Sequence, residues 1–388
     1  MRKTLFLSQI RPLLFLTGIF FLNFLSRIVL SPLMPSVEKD LRMGHGEAGS
    51  LFFLISLGYC VMLLASGFVS SRLNHRKTII LSSIAVGGAL FIVGFNDHLW
   101  GIHVGLLLLG MAAGLYLPSG IATLTELVSP EHWGKAISIH ELAPNLGFVI
   151  APLLTEALLG VCSWREVLVV LGIASIFAGF IFLSFGNGVV SHGEAPNVGT
   201  LRIVLKKPSF WIIMALFSLG IGGSFGVYSM FPLYLVSERG MDRAWANTLV
   251  GISRIFPVGM AILSGWVTDR LGPKQTLRMV FLTLGIITIL LGVISGSWII
   301  LIIFLQPMLA SSFFPPGFAA LSRIGGQRFK NVAISLTMPV SFLVGGGAIP
   351  AGIGLIGEAR SFSLGFIILG GFFLSGVVLV QYLKFNED

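Results

Sequence analysis

Charge is what this 388-residue chain has least of: Asp, Glu, Lys and Arg together supply 11% of it, while hydrophobic residues supply 55%. A soluble globule carries about a quarter of its residues as charged side chains, so that class is excluded. Polar stretches of domain length are missing as well, which leaves no place for a soluble catalytic appendage. Cysteine is limited to Cys60 and Cys162, whose spacing fits neither a metal site nor a redox pair, and both read as small apolar residues. No zinc-ligand, P-loop, catalytic-triad or haem motif occurs, paired carboxylates are absent, and no nucleophile and base fall in one cluster. The expectation is a protein that is not an enzyme and that uses no cofactor and no metal. Acidic residues are outnumbered, 16 to 25, for a net charge of +9. The excess Lys and Arg sit at the ends of apolar runs and form no patch or tail, so nucleic acid is not an expected partner.

What the chain has instead is long apolar runs, with a mean hydropathy of +0.94. They predict twelve transmembrane helices, over residues 12–33, 48–70, 78–95, 101–124, 136–158, 166–185, 210–236, 245–266, 277–294, 298–320, 332–355 and 362–382. The first run follows a basic start, but it contains Asn23 and Arg27 and lacks a small-x-small cleavage site, so it reads as a retained helix. The polar residues 36–47 read as the link to the second helix. The longest polar stretch, 186–208, reads as a cytoplasmic linker between two bundles, 1–185 and 209–388. Seventeen Lys and Arg fall on one side of this topology and six on the other. The positive-inside rule then puts both termini in the cytoplasm and the chain in the inner (cytoplasmic) membrane, where it is expected to be a monomer in the lipid bilayer.

The two halves align at an offset of 197 residues. Gly120, Ala122 and Leu124 pair with Gly317, Ala319 and Leu321, and Ala136 and Ser138 pair with Ala333 and Ser335. Between predicted helices 2 and 3 stand Gly67, Ser71, Arg72, Arg76 and Lys77. Between helices 8 and 9 the pattern returns as Gly265, Asp269, Arg270, Gly272 and Lys274, with a one-residue slip. A small residue lets two helix ends approach, and the basic cluster stays at the cytoplasmic lipid surface. This repeated Gly-x-x-x-Asp-Arg-x-Gly-x-(Arg/Lys) pattern resembles that of the major facilitator superfamily of secondary transporters, with Ser71 in place of the first Asp. The resemblance covers nearly the whole chain. It implies an all-α polytopic membrane protein with twelve transmembrane helices in two pseudo-symmetric six-helix bundles. The internal duplication places the substrate site near the midplane between the halves, with alternating access by rocking.

Arg27 and Arg254 lie at comparable depths inside otherwise apolar helices 1 and 8. A buried arginine costs about 2.5–3.5 kcal/mol on insertion scales, and its planar fork of donors matches a carboxylate or phosphate oxygen pair. The expected substrate is therefore a small organic anion. An Arg in helix 1 resembles organic-phosphate and anion:cation carriers, and one in helix 8 resembles oxalate, nitrate and monocarboxylate carriers. Helix 11 has no Lys and helix 7 no Arg, so neither pattern is complete. The repeat counterparts are Ser224 for Arg27 and Leu57 for Arg254. Asn23, one turn before Arg27, and Tyr59, Tyr116, Asn145 and Tyr228 are candidates to line the cavity.

His140 and Glu141 in helix 5 are the candidates for coupling to protons, because a histidine titrates near neutrality; a counter-anion in exchange is the other expected co-substrate. Glu126 and Arg323 are repeat partners of opposite charge at cytoplasmic helix ends and candidates for a gate, with the loop residues Gly67, Arg72, Arg76, Gly265, Asp269 and Arg270. The segment from Pro144 to Pro152 resembles a Gly-x-x-x-Gly-Pro signature of drug:proton antiporters, with Ala151 for the second Gly. It and Gly345 to Gly347 in helix 11 read as small-residue seams where the halves meet. The glycines from Gly220 to Gly226 read as a flexible stretch of helix 7. Two other functions remain open: efflux of amphipathic compounds, and a ligand sensor or partner subunit that moves nothing.

Overall fold

A computed structural model of the protein describes residues 6–185, 191–193, 205–324 and 326–385. Most of the predicted linker 186–208 lies outside the described residues. Every regular element among them is helical. A helix satisfies its own backbone in lipid, which is why apolar runs of spanning length take this form. Twelve helices are long and apolar enough to cross a membrane: α1 (Gln9–Leu41), α2 (His45–Leu73), α3 (His75–Gly94), α4 (Leu99–Leu127), α5 (Pro130–Leu159), α6 (Trp164–Ser184), α7 (Pro208–Ser237), α8 (Arg243–Leu271), α9 (Pro273–Val293), α10 (Trp298–Arg323), α11 (Val332–Ala359) and α12 (Phe362–Gln381).

Residues 36–41, expected as a polar link, continue α1 as helix. Leu33, Met34 and Val37 are buried at helical spacing, while Lys39 and Asp40 face outward. The charges made an amphipathic last turn look like a loop. The chain then reverses at Arg42, whose φ is 53°.

Several spans are interrupted where a proline follows. Helical geometry lapses at Val29, Leu115 and Glu141, each three residues before Pro32, Pro118 and Pro144, and over the three residues that precede Pro257. Proline has no N–H to give the preceding turn and its ring crowds the carbonyl there, so the break falls upstream of the ring.

The helices group into two compact units. One comprises Met1–Leu33 and Leu54–Pro196, the other Met34–Phe53 and Asn197–Asp388. In the first, α1, α3, α4, α5 and α6 close over a core that includes Leu16, Phe20, Ile79, Tyr116 and Phe182. Gly147 of the α5 seam packs there, a Cβ at that position falling 2.7 Å from the Phe24 ring of α1. In the second unit the α11 seam packs on α7: a Cβ on Gly345 would lie 2.6 Å from Gly222 N and from Ser218 O. Both seams therefore serve contacts inside their own unit, because the missing side chain lets a neighbouring helix come close. Residues 34–53 belong to the second unit, where Gly46 N–H donates to Glu358 Oε2 at 2.8 Å and Arg243 Nη1 donates to Ser36 Oγ at 3.1 Å.

The repeated loop is a single residue in each copy. α2 meets α3 at Asn74, with φ 66°, and α8 meets α9 at Gly272, with φ 80°. Both are left-handed, a conformation that Gly and Asn tolerate best. Asn74 also caps α3 by accepting from Lys77 N–H at 2.9 Å.

Candidate functional site

In the second unit the site forms around the break in α8. Arg254 is the residue that ends the first helical stretch, Arg243–Ser253, and it is 5% exposed. Its guanidinium carbon lies 4.9 Å from the ring centre of Tyr228 on α7, and its Nη2 donates to the Ser224 carbonyl at 3.2 Å. Ser224 sits in a π-helical turn, Gly222–Gly226, where a flexible stretch was expected. A second π-turn, Val344–Ala348, interrupts α11. The two are packed backbone to backbone: a Cβ on Gly226 would lie 2.7 Å from Gly345 O. Glycine permits both the wider turn and the close approach. Gln306 of α10, fully buried, donates from Nε2 to Gly223 O at 2.8 Å. Two successive carbonyls of the π-turn thus each hold a side-chain donor, one amide and one guanidinium.

In the first unit Arg27, 8% exposed, lies on α1 five residues before Pro32. Its guanidinium carbon is 4.1 Å from the ring centre of Tyr59 on α2 and 5.2 Å from that of Phe24. Each unit therefore contains a buried arginine against a buried tyrosine. An arginine–aromatic contact of this kind holds the planar cation without neutralising it.

A third cluster lies in the first unit. His140 is fully buried and stacks on Phe20 of α1, ring centres 4.4 Å apart and planes 7° apart. Tyr116 of α4 stacks on the same Phe20 at 5.2 Å, and its hydroxyl is 3.1 Å from His140 Nε2 and donates to Leu16 O at 2.8 Å. Glu141, half exposed, brings Oε1 to 3.7 Å from His140 Nδ1. The structure thus joins Tyr116, expected to line a cavity, to His140 within the packed core.

Other expected residues are placed elsewhere. Asn23 is buried and donates toward Ser82 Oγ and Ala113 O at 3.3 and 3.4 Å, facing α3 and α4. Asn145 is exposed and donates to the Glu141 carbonyl. Glu126 accepts from Ser191 Oγ at 2.6 Å, and Arg323 lies over the Phe385 ring. Of the loop residues, Arg72 and Asp269 are exposed, Gly67 and Gly265 are half-buried, Arg76 donates to Leu183 O, and Arg270 stacks on Trp266 at 3.9 Å. Among the described residues no group of three His, Cys, Asp or Glu could hold a metal ion. Gln306 was missed, although it is the lone amide in an apolar run, the same signal that marked the arginines. Phe20 carried no signal among 32 phenylalanines.

Residues 16–350 match the sequence profile of the Major Facilitator Superfamily. The probable sulfoacetate transporter of Cupriavidus necator is 22% identical over 270 residues, 65% of this chain and 63% of that protein's length. The membrane sensor protein UhpC of Escherichia coli is 25% identical over 323 residues, 76% of this chain and 72% of that protein. The solved structure of a bacterial homologue of the human lysosomal transporter Spinster, in an inward-facing and occupied conformation, aligns with a TM-score of 0.84 at 16% identity over 96% of both chains.

Proposed function

The chain belongs to the Major Facilitator Superfamily of multi-pass membrane transporters, and from that premise we propose that it carries a small organic anion, a carboxylate or sulfonate, by alternating access. The observation that carries this reading is the pair of arginines, 8% and 5% exposed, each inside an apolar helix and each flanked by a tyrosine ring. An ionised group placed there is retained against an unfavourable transfer free energy, which is why such residues mark substrate paths. The guanidinium fork then selects for paired anionic oxygens. The similarity to a probable sulfoacetate transporter supports the same class. Transport is coupled to protons through His140 and Glu141, or runs by exchange with a counter-anion, in a monomer of the inner membrane with both termini cytoplasmic.

The test is thermal stabilisation of the detergent-purified protein by sulfoacetate, mono- and dicarboxylates, phosphate esters and cationic dyes, in wild type, Arg27→Gln and Arg254→Gln. A ligand of the folded state raises Tm by mass action. Stabilisation by one anion class, removed by either substitution, supports the reading. Stabilisation by dyes alone, equal in all three proteins, replaces it with efflux of amphipathic compounds.

The similarity to UhpC favours a second reading, a sensor that binds its ligand without moving it. Flux of the stabilising anion into proteoliposomes separates the two: a sensor shows the thermal shift and no uptake.

A further inference from the structure

Among the buried polar atoms, His140 Nδ1 stands out: it has no hydrogen-bond partner among the described residues, although the ring is fully buried. Leaving such an acceptor unmade costs about 1–3 kcal/mol, so a fold that keeps one calls for a reason. The other nitrogen supplies it. The Tyr116 hydroxyl has one proton, and that proton is directed at Leu16 O, 2.8 Å away. Its oxygen is then an acceptor, and His140 Nε2, at 3.1 Å, must donate to it. The neutral ring therefore has its hydrogen on Nε2 and its lone pair on Nδ1. The break of α5 at Glu141 sets that residue's Oε1 3.7 Å from Nδ1.

We propose that Tyr116 is a positioning residue that fixes His140 in the Nε2–H form, making Nδ1 the atom that accepts a proton delivered through Glu141. The inference rests on the proton-coupled reading above. In the transfer, the Glu141 O–H bond breaks and the His140 Nδ1–H bond forms. No electrons are exchanged, and the products are a carboxylate and an imidazolium that attract each other. Three groups then hold the charged ring: the Glu141 carboxylate, the Tyr116 oxygen and the face of Phe20, whose plane is within 7° of the imidazole. Phe20 spans both rings, so it also keeps the imidazole edge in line with the Tyr116 hydroxyl. Glu141, 49% exposed against the fully buried ring, is the outer end of the relay. Among the described residues, the titratable groups in contact with His140 are Tyr116 from α4 and Glu141 from α5, and α1 contributes Phe20 and the Leu16 carbonyl that holds Tyr116.

The experiment is nitrogen NMR of the full chain in lipid nanodiscs, with ¹⁵N-labelled histidine and the His140 signals assigned by their loss in His140→Gln. The expected result is a neutral ring protonated at Nε2 in wild type, with the second proton appearing on Nδ1 as pH falls. Tyr116→Phe should give a mixture of the two neutral forms, and Glu141→Gln should displace the pH at which Nδ1 fills while leaving the tautomer intact. A wild-type ring protonated at Nδ1 when neutral overturns the inference, as does a tautomer that Tyr116→Phe leaves unchanged. If Tyr116→Phe does not fold, the wild-type tautomer alone decides. Should the tautomer pattern hold while a pH gradient drives no uptake of the stabilising anion, the coupling reading fails and the positioning of His140 stands.

Discussion

Arg254 donates to the backbone carbonyl of Ser224, and Ser224 is the repeat counterpart of Arg27. Each unit thus has a buried guanidinium packed on a tyrosine of a neighbouring helix, supplied from different helices. In the first unit it comes from α1 and packs on a tyrosine of α2; in the second it comes from α8 and packs on a tyrosine of α7. The aligned residues, Arg27 with Ser224 and Arg254 with Leu57, show no charge in common.

The arginines should differ in what a lysine can replace. Arg254 uses one arm of its fork on a backbone carbonyl, and Lys presents a point charge with no fork. We expect Arg254→Lys and Arg254→Gln both to weaken the stabilising anion, by about 10- to 100-fold, as loss of a charged hydrogen bond worth about 1.5–3 kcal/mol implies. The measurement is the anion concentration that gives a half-maximal thermal shift. A Lys variant equal to wild type would mean that charge alone suffices there.

The tyrosines test whether ring or hydroxyl holds the cation. Arg254 lies 4.9 Å from the Tyr228 ring centre and Arg27 4.1 Å from that of Tyr59. Tyr228→Phe should therefore leave the anion affinity close to wild type, while Tyr228→Leu lowers it by about 2- to 30-fold, the range of a cation–π contact of about 0.5–2 kcal/mol. Tyr59→Leu should show a loss in the same range. The same thermal titration reads all three, and equal losses for Phe and Leu at position 228 would rule out the ring face.

Much of this was legible in the sequence because lipid leaves the chain few choices. Apolar runs had to be helices, and buried arginines were conspicuous in a chain with 11% charge, whereas the breaks upstream of Pro32, Pro118, Pro144 and Pro257 were not foreseen. Helix rotation was not legible. Asn23 was placed beside Arg27 from its spacing, yet its amide turns toward Ser82 and Ala113, and only packing fixes such a direction. The burial of His140 was hidden for the same reason: its phenylalanine partner lies 120 residues earlier, and no local pattern connects them. The turn at 36–41 was misread because its charges outweighed the buried Leu33, Met34 and Val37.

Gln306 should prove to be a clamp on the π-turn. Its Nε2 holds Gly223 O, and removing that donor leaves the wider turn with one side chain fewer on its carbonyls. Gln306→Leu should speed amide hydrogen exchange over residues 222–228 and lower stability by about 1–3 kcal/mol. The rest of α10 should exchange as in wild type. Unchanged exchange in α7 would show that glycine packing alone maintains the turn.

Glycine packing has its own test, and a control built into the same helix. On Gly345 a Cβ would meet Gly222 N and Ser218 O at 2.6 Å, both backbone atoms that cannot swing aside, whereas on Gly352 nothing lies within 4 Å. Overpacking of this kind costs about 1–3 kcal/mol when neighbours can shift, and here the neighbour is a π-turn whose own glycines make the approach possible. Gly345→Ala should therefore lower Tm clearly, and it should also weaken the anion, because displacing α7 moves the Ser224 carbonyl that positions Arg254. Gly352→Ala should be neutral or slightly stabilising, since Ala favours helix over Gly by about 1 kcal/mol. A Gly345→Ala protein that melts early but binds the anion as wild type would separate the seam from the arginine; one that melts like Gly352→Ala would show that the two π-turns do not touch as described.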